Sequence, residues 1–115
     1  MDHRKNIERL CATLLTCARD QRLPDIVRSD SLEHVSALLH ESSMHLVPED
    51  LEEVVDQLVE LLNDPNDLIR DTTYSQCQNI LEKVKLAPYE AHRLQEEMRF
   101  FETVETHDTH VLVRH

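Results

Sequence analysis

Glycine is absent from the 115 residues, and so is tryptophan. Without glycine there is no ready residue for positive φ, so tight two-residue hairpins and the sheets built on them are disfavoured. The same absence removes glycine-rich phosphate loops and dinucleotide fingerprints, in which backbone must approach the ligand closely. Aromatics are scarce, two Phe and two Tyr, so any core is built of Leu, Val and Ile. Long apolar runs are missing too, and nothing approaches the roughly eighteen residues needed to cross a bilayer. No membrane association is expected. Cysteines number three, an odd count: Cys11 and Cys17 stand six apart and point in different directions on a helix, and Cys77 is remote from both. They read as buried, reduced thiols of an intracellular protein, cytoplasmic or nuclear, rather than as a metal site.

What is present is acid. Twelve Lys and Arg stand against twenty-three Asp and Glu, for a formal net charge of −11. Such a chain repels phosphate backbones, so no direct nucleic-acid contact is expected. The charge is uneven: residues 1–28 carry six basic and four acidic groups, residues 29–115 six and nineteen. The excess reads as a solvated, solubilising surface, or more sharply as a face that attracts a basic partner.

Periodicity gives an all-α chain of about five helices. The first opens at Asp2, runs to about Gln21, and carries Ile7, Leu10, Cys11, Leu14, Leu15 and Ala18 on one stripe. Leu23-Pro24 interrupts it. A second helix, starting somewhere between Pro24 and Ser31, carries Ile26, Val27, Leu32, Val35, Leu38 and Leu39. After a connector at 42–47, Pro48 takes the first position of a third helix, with Glu49, Asp50, Glu52 and Glu53 in its electropositive first turn. Its stripe is Leu51, Val54, Val55, Leu58, Val59, Leu61 and Leu62, and it ends near Asn63-Asp64-Pro65. A fourth begins at Asn66 or Asp67, with Ile69, Thr73, Cys77, Ile80 and Val84 along one face. A fifth starts at Pro88 and shows Ala91, Leu94, Met98 and Phe101. Residues 1–104 thus form one helical domain, and 105–115 a flexible tail.

Two stretches repeat. A shift of 44 lays Ile7, Leu10, Cys11, Leu14, Leu15, Ala18 and Asp20 onto Leu51, Val54, Val55, Leu58, Val59, Leu62 and Asp64. A shift of 42 lays Val27-Arg28 onto Ile69-Arg70. A two-helix unit of about forty residues is the signature of an α-solenoid. The stretch from Leu61 to Arg70, Leu-Leu-Asn-Asp-Pro-Asn-Asp-Leu-Ile-Arg, resembles the turn of a HEAT or armadillo-like repeat. The resemblance covers residues 48–85 best and 3–41 more loosely, since Arg28 stands eight from Asp20 where Arg70 stands six from Asp64. It implies that Asp64 and Arg70 form a structural inter-repeat ladder, that 88–103 is a capping helix, and that the surface of the second helices binds proteins. A compact five-helix bundle accommodates the same helices and stays open as the alternative.

No constellation for catalysis is legible. No nucleophile elbow occurs, the cysteines lie on apolar stripes, and the carboxylates at 49–53 are explained by the helix dipole. His107-x-x-His110 with Glu105, Asp108 and His115 contains metal-ligand types, but a polar tail gives them no rigid support, so neither metal nor cofactor is expected. A partner surface is easier to motivate. Asp71, Tyr74, Gln78 and Glu82 step round the outer face of the fourth helix, with Tyr74 either an exposed anchor or a filler between helices. Phe100 lies beside the fifth stripe and either widens the core or docks a partner. The expected function is a non-enzymatic protein-interaction module, an adaptor or subunit of an intracellular complex whose partner bears a basic segment. Two alternatives stand beside it. One is a homo-oligomerising bundle, a homodimer joined through Leu94, Met98 and Phe101. The other is an acidic decoy that inhibits a nucleic-acid-binding protein through a stripe continuous across helices three to five.

Overall fold

A computed structural model describes residues 3–43 and 46–113, with side chains described over 5–43, 46–100 and 102. The described residues are all-α, with five helices: α1 His3–Arg19, α2 Asp25–Glu41, α3 Glu52–Leu62, α4 Asp67–Lys83 and α5 Pro88–Val113. A 3₁₀ turn, Pro48–Leu51, leads into α3. That turn is latched at its start, where Val47 N–H donates to the Asp50 carboxylate and Asp50 N–H to the Val47 carbonyl. The first turn expected to be α-helical is therefore 3₁₀. The N-cap of α4 is Asn66, whose side chain accepts from Ile69 N–H at 3.2 Å. The cap expected at Asp2 lies outside the described residues. No Pro or Gly follows Pro88 to stop α5, and its backbone stays helical to Val113, through the segment read as a tail from residue 105.

α1 packs on α2, α2 on α4, and α3 on both α4 and α5, while α1 also meets α3 along its side. One core runs through all five helices, from Cys11, Leu15 and Ala18 through Leu32, Val35 and Leu39 to Leu58, Leu61, Ile69, Cys77, Ile80 and Leu94. The α3 and α4 stripes are buried as their spacing requires, except that Val59 is only partly covered.

The stripes of α1 and α2 differ from expectation. Leu10 is 53% exposed and Ile26 66%, while Arg28 is only 3% exposed and Ser29, Ser31 and Ser36 are buried. The reason is position. α2 is flanked by α1 on one side and α4 on the other, so its buried surface spans two faces and has no single stripe. Short polar side chains let it approach α4 closely, and two of them find bonds: Ser29 Oγ meets Thr72 Oγ1 at 3.1 Å, and Ser31 Oγ donates to the Val27 carbonyl at 2.9 Å.

Arg28 and Asp64 form the centre of this junction. Arg28 Nη2 donates to Asp64 Oδ2 at 2.5 Å, and its Nε donates to the Ala18 carbonyl at 2.7 Å, capping the end of α1. Asp64 Oδ1 accepts Asn66 N–H at 2.9 Å. The expected Asp64–Arg70 ladder is therefore not side chain to side chain. Arg70 Nη1 donates to the backbone carbonyl of Asp64 at 2.7 Å, and its Nη2 pairs with Asp67. With one carboxylate oxygen held in its own turn, the other is left to face α2. Asp20, the counterpart of Asp64, is held instead by Arg22, whose hydrogen bonds keep its carboxyl below the usual carboxylate range.

Candidate functional site

The stripe proposed from sequence on α4 is only partly free. Asp71, Gln78 and Glu82 are exposed, but Tyr74 is half-buried, packs against the core, and donates its hydroxyl to Glu102 of α5. Tyr74 is thus the filler between α4 and α5 rather than an open anchor. A Leu or Val could fill that space but could not reach Glu102, which accounts for an aromatic with a polar tip here. Phe100 is 63% exposed and shares a face of α5 with Tyr89, eleven residues earlier and also exposed. Leu94 and Met98 are buried in the chain's own core, so they are not available to a dimer interface, and the side chain of Phe101 lies outside the described residues. The His107, His110 and His115 group likewise lies outside the described side chains. Among the described residues no three His, Cys, Asp or Glu groups are placed to hold a metal ion.

Further geometry lies in two depressions among the described residues. A shallow groove of about 320 Å³ runs between α2 and α4, lined by Glu33, Ser36 and His40 on one side and Gln76, Asn79 and Lys83 on the other. It lies nearly a third of a turn round α4 from the stripe Asp71, Gln78 and Glu82, because successive helical residues advance about 100°. Sequence reading missed it because α2 hides its orientation. The second is a larger cleft of about 710 Å³ between α1 and the start of α3, with Leu15 and Val54 at its base and Glu49, Asp50, Glu52 and Glu53 among its lining residues. Those four carboxylates were visible in the sequence as a first-turn cluster. Their position opposite α1 was not.

Two of the three thiols, Cys11 and Cys77, are sealed rather than poised. Burial pushes Cys11 up to about 11, with the neighbouring Glu8 charge adding to the effect, and pushes Cys77 up to about 12. A thiol held protonated so far above neutrality is a poor nucleophile and a poor metal ligand. Between α3 and α5, Arg93 Nη1 pairs with Asp56 and lies 3.8 Å from Glu90 Oε2, and the Asp56 bond raises the Arg93 pKa further. Glu90 is buried in the first turn of α5, and its Oε2 has no hydrogen bond. The dipole at that helix start and the nearby guanidinium offset its charge. This cluster clips α3 to α5.

No protein-family model, curated protein or solved structure matches this chain. Among the described residues no helix is long and apolar enough to cross a membrane. Function must therefore be argued from the surfaces themselves.

Proposed function

We propose that the chain is a non-enzymatic protein-interaction module, an adaptor or subunit of an intracellular complex, built as a short stack of HEAT or armadillo-like helix pairs. The observation that carries this reading is the α2–α4 junction. There the buried Arg28–Asp64 pair and the Ser29–Thr72 bond lock two helix pairs side by side, and an open polar groove remains outside. Equivalent helices touch at offsets close to the internal repeat: Arg19 reaches Gln57 across 38 residues, and Ser29 reaches Thr72 across 43. That offset supports stacked units over a bundle whose helices meet in another order. Rigid helices displaying polar side chains suit recognition, since little conformational freedom is lost on docking.

Capture of partners from cell extract tests the reading, with the wild type beside Gln76→Arg/Asn79→Arg, two substitutions in the α2–α4 groove that leave the core untouched. A discrete protein held by the wild type and lost with the variant is the expected result. Capture that ignores every surface substitution, or none at all, counts against it.

A second reading, homo-oligomerisation, draws on Tyr89 and Phe100, two exposed aromatics on one face of α5. Light scattering across concentration and salt separates them: a salt-insensitive dimer dissociated by Phe100→Ser would replace the adaptor reading. The acidic-decoy reading is weakened because Asp56 and Glu60, two carboxylates such a stripe would use, are engaged by Arg93 and Arg19.

A further inference from the structure

The α1–α3 cleft has a construction that the interaction reading alone does not explain. The two helices run side by side and are pinned toward their C-terminal ends, where Arg19 donates to Gln57 at 2.5 Å and pairs with Glu60 at 2.9 Å. Away from that clip, a cleft of about 710 Å³ lies between them, within the ~300–1,000 Å³ typical of ligand clefts. Its base is apolar, with Leu15 and Val54 buried there and Ala12 exposed on the α1 wall. Its polar lining is almost all of one sign. Six carboxylates, Glu8, Glu49, Asp50, Glu52, Glu53 and Asp56, line it beside a single basic lining residue, Arg9; with Asp56 paired to Arg93, five carboxylates stand against that one guanidinium.

The helix dipole accounts for acids in the first turn of α3, and for no others. Glu8 comes from the facing helix, whereas Asp56, beyond that first turn, is already taken by Arg93. The carboxylates therefore converge from both walls of one depression. Like charges brought together over an apolar floor repel each other more than on open surface, and a cleft of one sign concentrates its field. Glu49 and Glu52 are exposed and have no ion pair among the described residues.

We propose that this cleft docks a short cationic segment of a partner protein, with one apolar side chain seated on Leu15 and Val54 between Lys or Arg residues that meet the acidic walls. The proposal rests on the interaction reading and supplies the partner's chemistry. The apolar base distinguishes such a segment from a bare polycation, which would gain nothing from Leu15 and Val54.

The test is fluorescence anisotropy with a labelled peptide carrying Lys and Leu at helical spacing, beside the same peptide with Leu replaced by Gln. Three full-length variants are compared with the wild type. Glu49→Lys/Glu52→Lys reverses the cleft. Asp71→Lys/Glu82→Lys makes the same change in net charge on the outer face of α4. Ala12→Trp fills the cleft from an exposed helical position, and a thermal melt verifies that each variant is folded. The expected pattern is at least about tenfold weaker binding for the cleft reversal, under about threefold for the α4 reversal, and a loss with Ala12→Trp. The Gln peptide should bind less tightly than the Leu peptide. Equal weakening by both reversals would overturn the proposal, since binding would follow net charge alone. Equal affinity for both peptides would also overturn it, leaving the cleft a sink for polyamine-like cations, and so would no binding by the wild type. If the α4 reversal alone abolishes binding, the cleft assignment fails while the interaction reading survives.

Discussion

Asp64→Asn is the sharpest single perturbation of this fold. The substitution preserves shape: Oδ1 still accepts Asn66 N–H, observed at 2.9 Å. At the other terminus an amide NH₂ replaces the Oδ2 that now accepts from Arg28 Nη2 at 2.5 Å, so two donors face each other. Arg28 keeps its bond to the Ala18 carbonyl but loses its countercharge at 3% exposure. Breaking a buried pair on one side costs about 3–5 kcal/mol, because the surviving charge stays desolvated. For a domain whose whole stability is of order 5–15 kcal/mol, that is a large share. With a urea dependence near ~1.5 kcal/mol per molar, the unfolding midpoint followed by circular dichroism should fall by about 2–3 M at unchanged slope. The same loss should persist in 1 M NaCl, since salt screens exposed pairs far more than buried ones. Arg28→Met should cost a similar amount by stranding Asp64. The double variant Arg28→Met/Asp64→Leu should recover most of it, because both charges leave together. An Asp64→Asn protein within about 1 kcal/mol of wild type would refute the reasoning, by showing that the pair is solvated or its partners differently arranged.

Thiol titration with an aromatic disulfide in native buffer should label the half-buried Cys17 quickly and leave Cys11 and Cys77 unreactive until denaturant is added. Prompt labelling of all three would contradict their burial. The same two thiols bear on alkaline stability. Unfolded, each titrates at the ordinary 9.0; folded, Cys11 is pushed up to about 11 and Cys77 to about 12. Their contribution is complete below pH 9 and is lost as pH rises through 9 toward 11–12, so Cys77→Ala should flatten the fall of the urea midpoint across that window. A midpoint curve parallel to wild type would sink the assignment. Finally, Leu32→Ala should cost about 2–5 kcal/mol, whereas Ile26→Gln, on the same helix, should change stability by less than about 0.5 kcal/mol. A large loss at Ile26 in chemical denaturation would mean that α2 is rotated from the orientation described.

Most of the fold was legible because most helices bury one face. α3 is the clearest case: it is amphipathic throughout, and Val54, Val55, Leu58, Leu61 and Leu62 are buried as spaced. α4 was legible to within a residue of its start, expected at Asn66 or Asp67 and found at Asp67 with Asn66 as the cap. α2 was not. Sandwiched between α1 and α4, it buries Arg28, Ser29, Ser31 and Ser36 and leaves Ile26 and Val27 at an open end. Hydrophobic periodicity measures a single apolar face, so a helix with two buried faces and polar contacts on one of them gives a blurred pattern.

The same limit explains the sites. Asp64 was visible as a turn residue, but its partner lies 36 positions away on the helix least readable from sequence. Arg28 was visible too, as the residue that the repeat shift lays on Arg70, yet its spacing from Asp20 read as a departure from the pattern. In the structure that spacing has a use, because Arg28 reaches back to cap α1 and forward to hold the next pair. Tyr74 was ambiguous between anchor and filler until Glu102 was placed beside it. The acids at 49–53 had a sufficient local explanation in the helix dipole, which concealed that α1 brings Glu8 to the same cleft. In each case the residue type was informative and the partner was not, since the partner is set by how helices from different units meet. Buried polar groups are therefore where sequence reading of this chain is weakest. They are also where single substitutions should act most strongly, because an unpaired charge in the interior has no inexpensive alternative state.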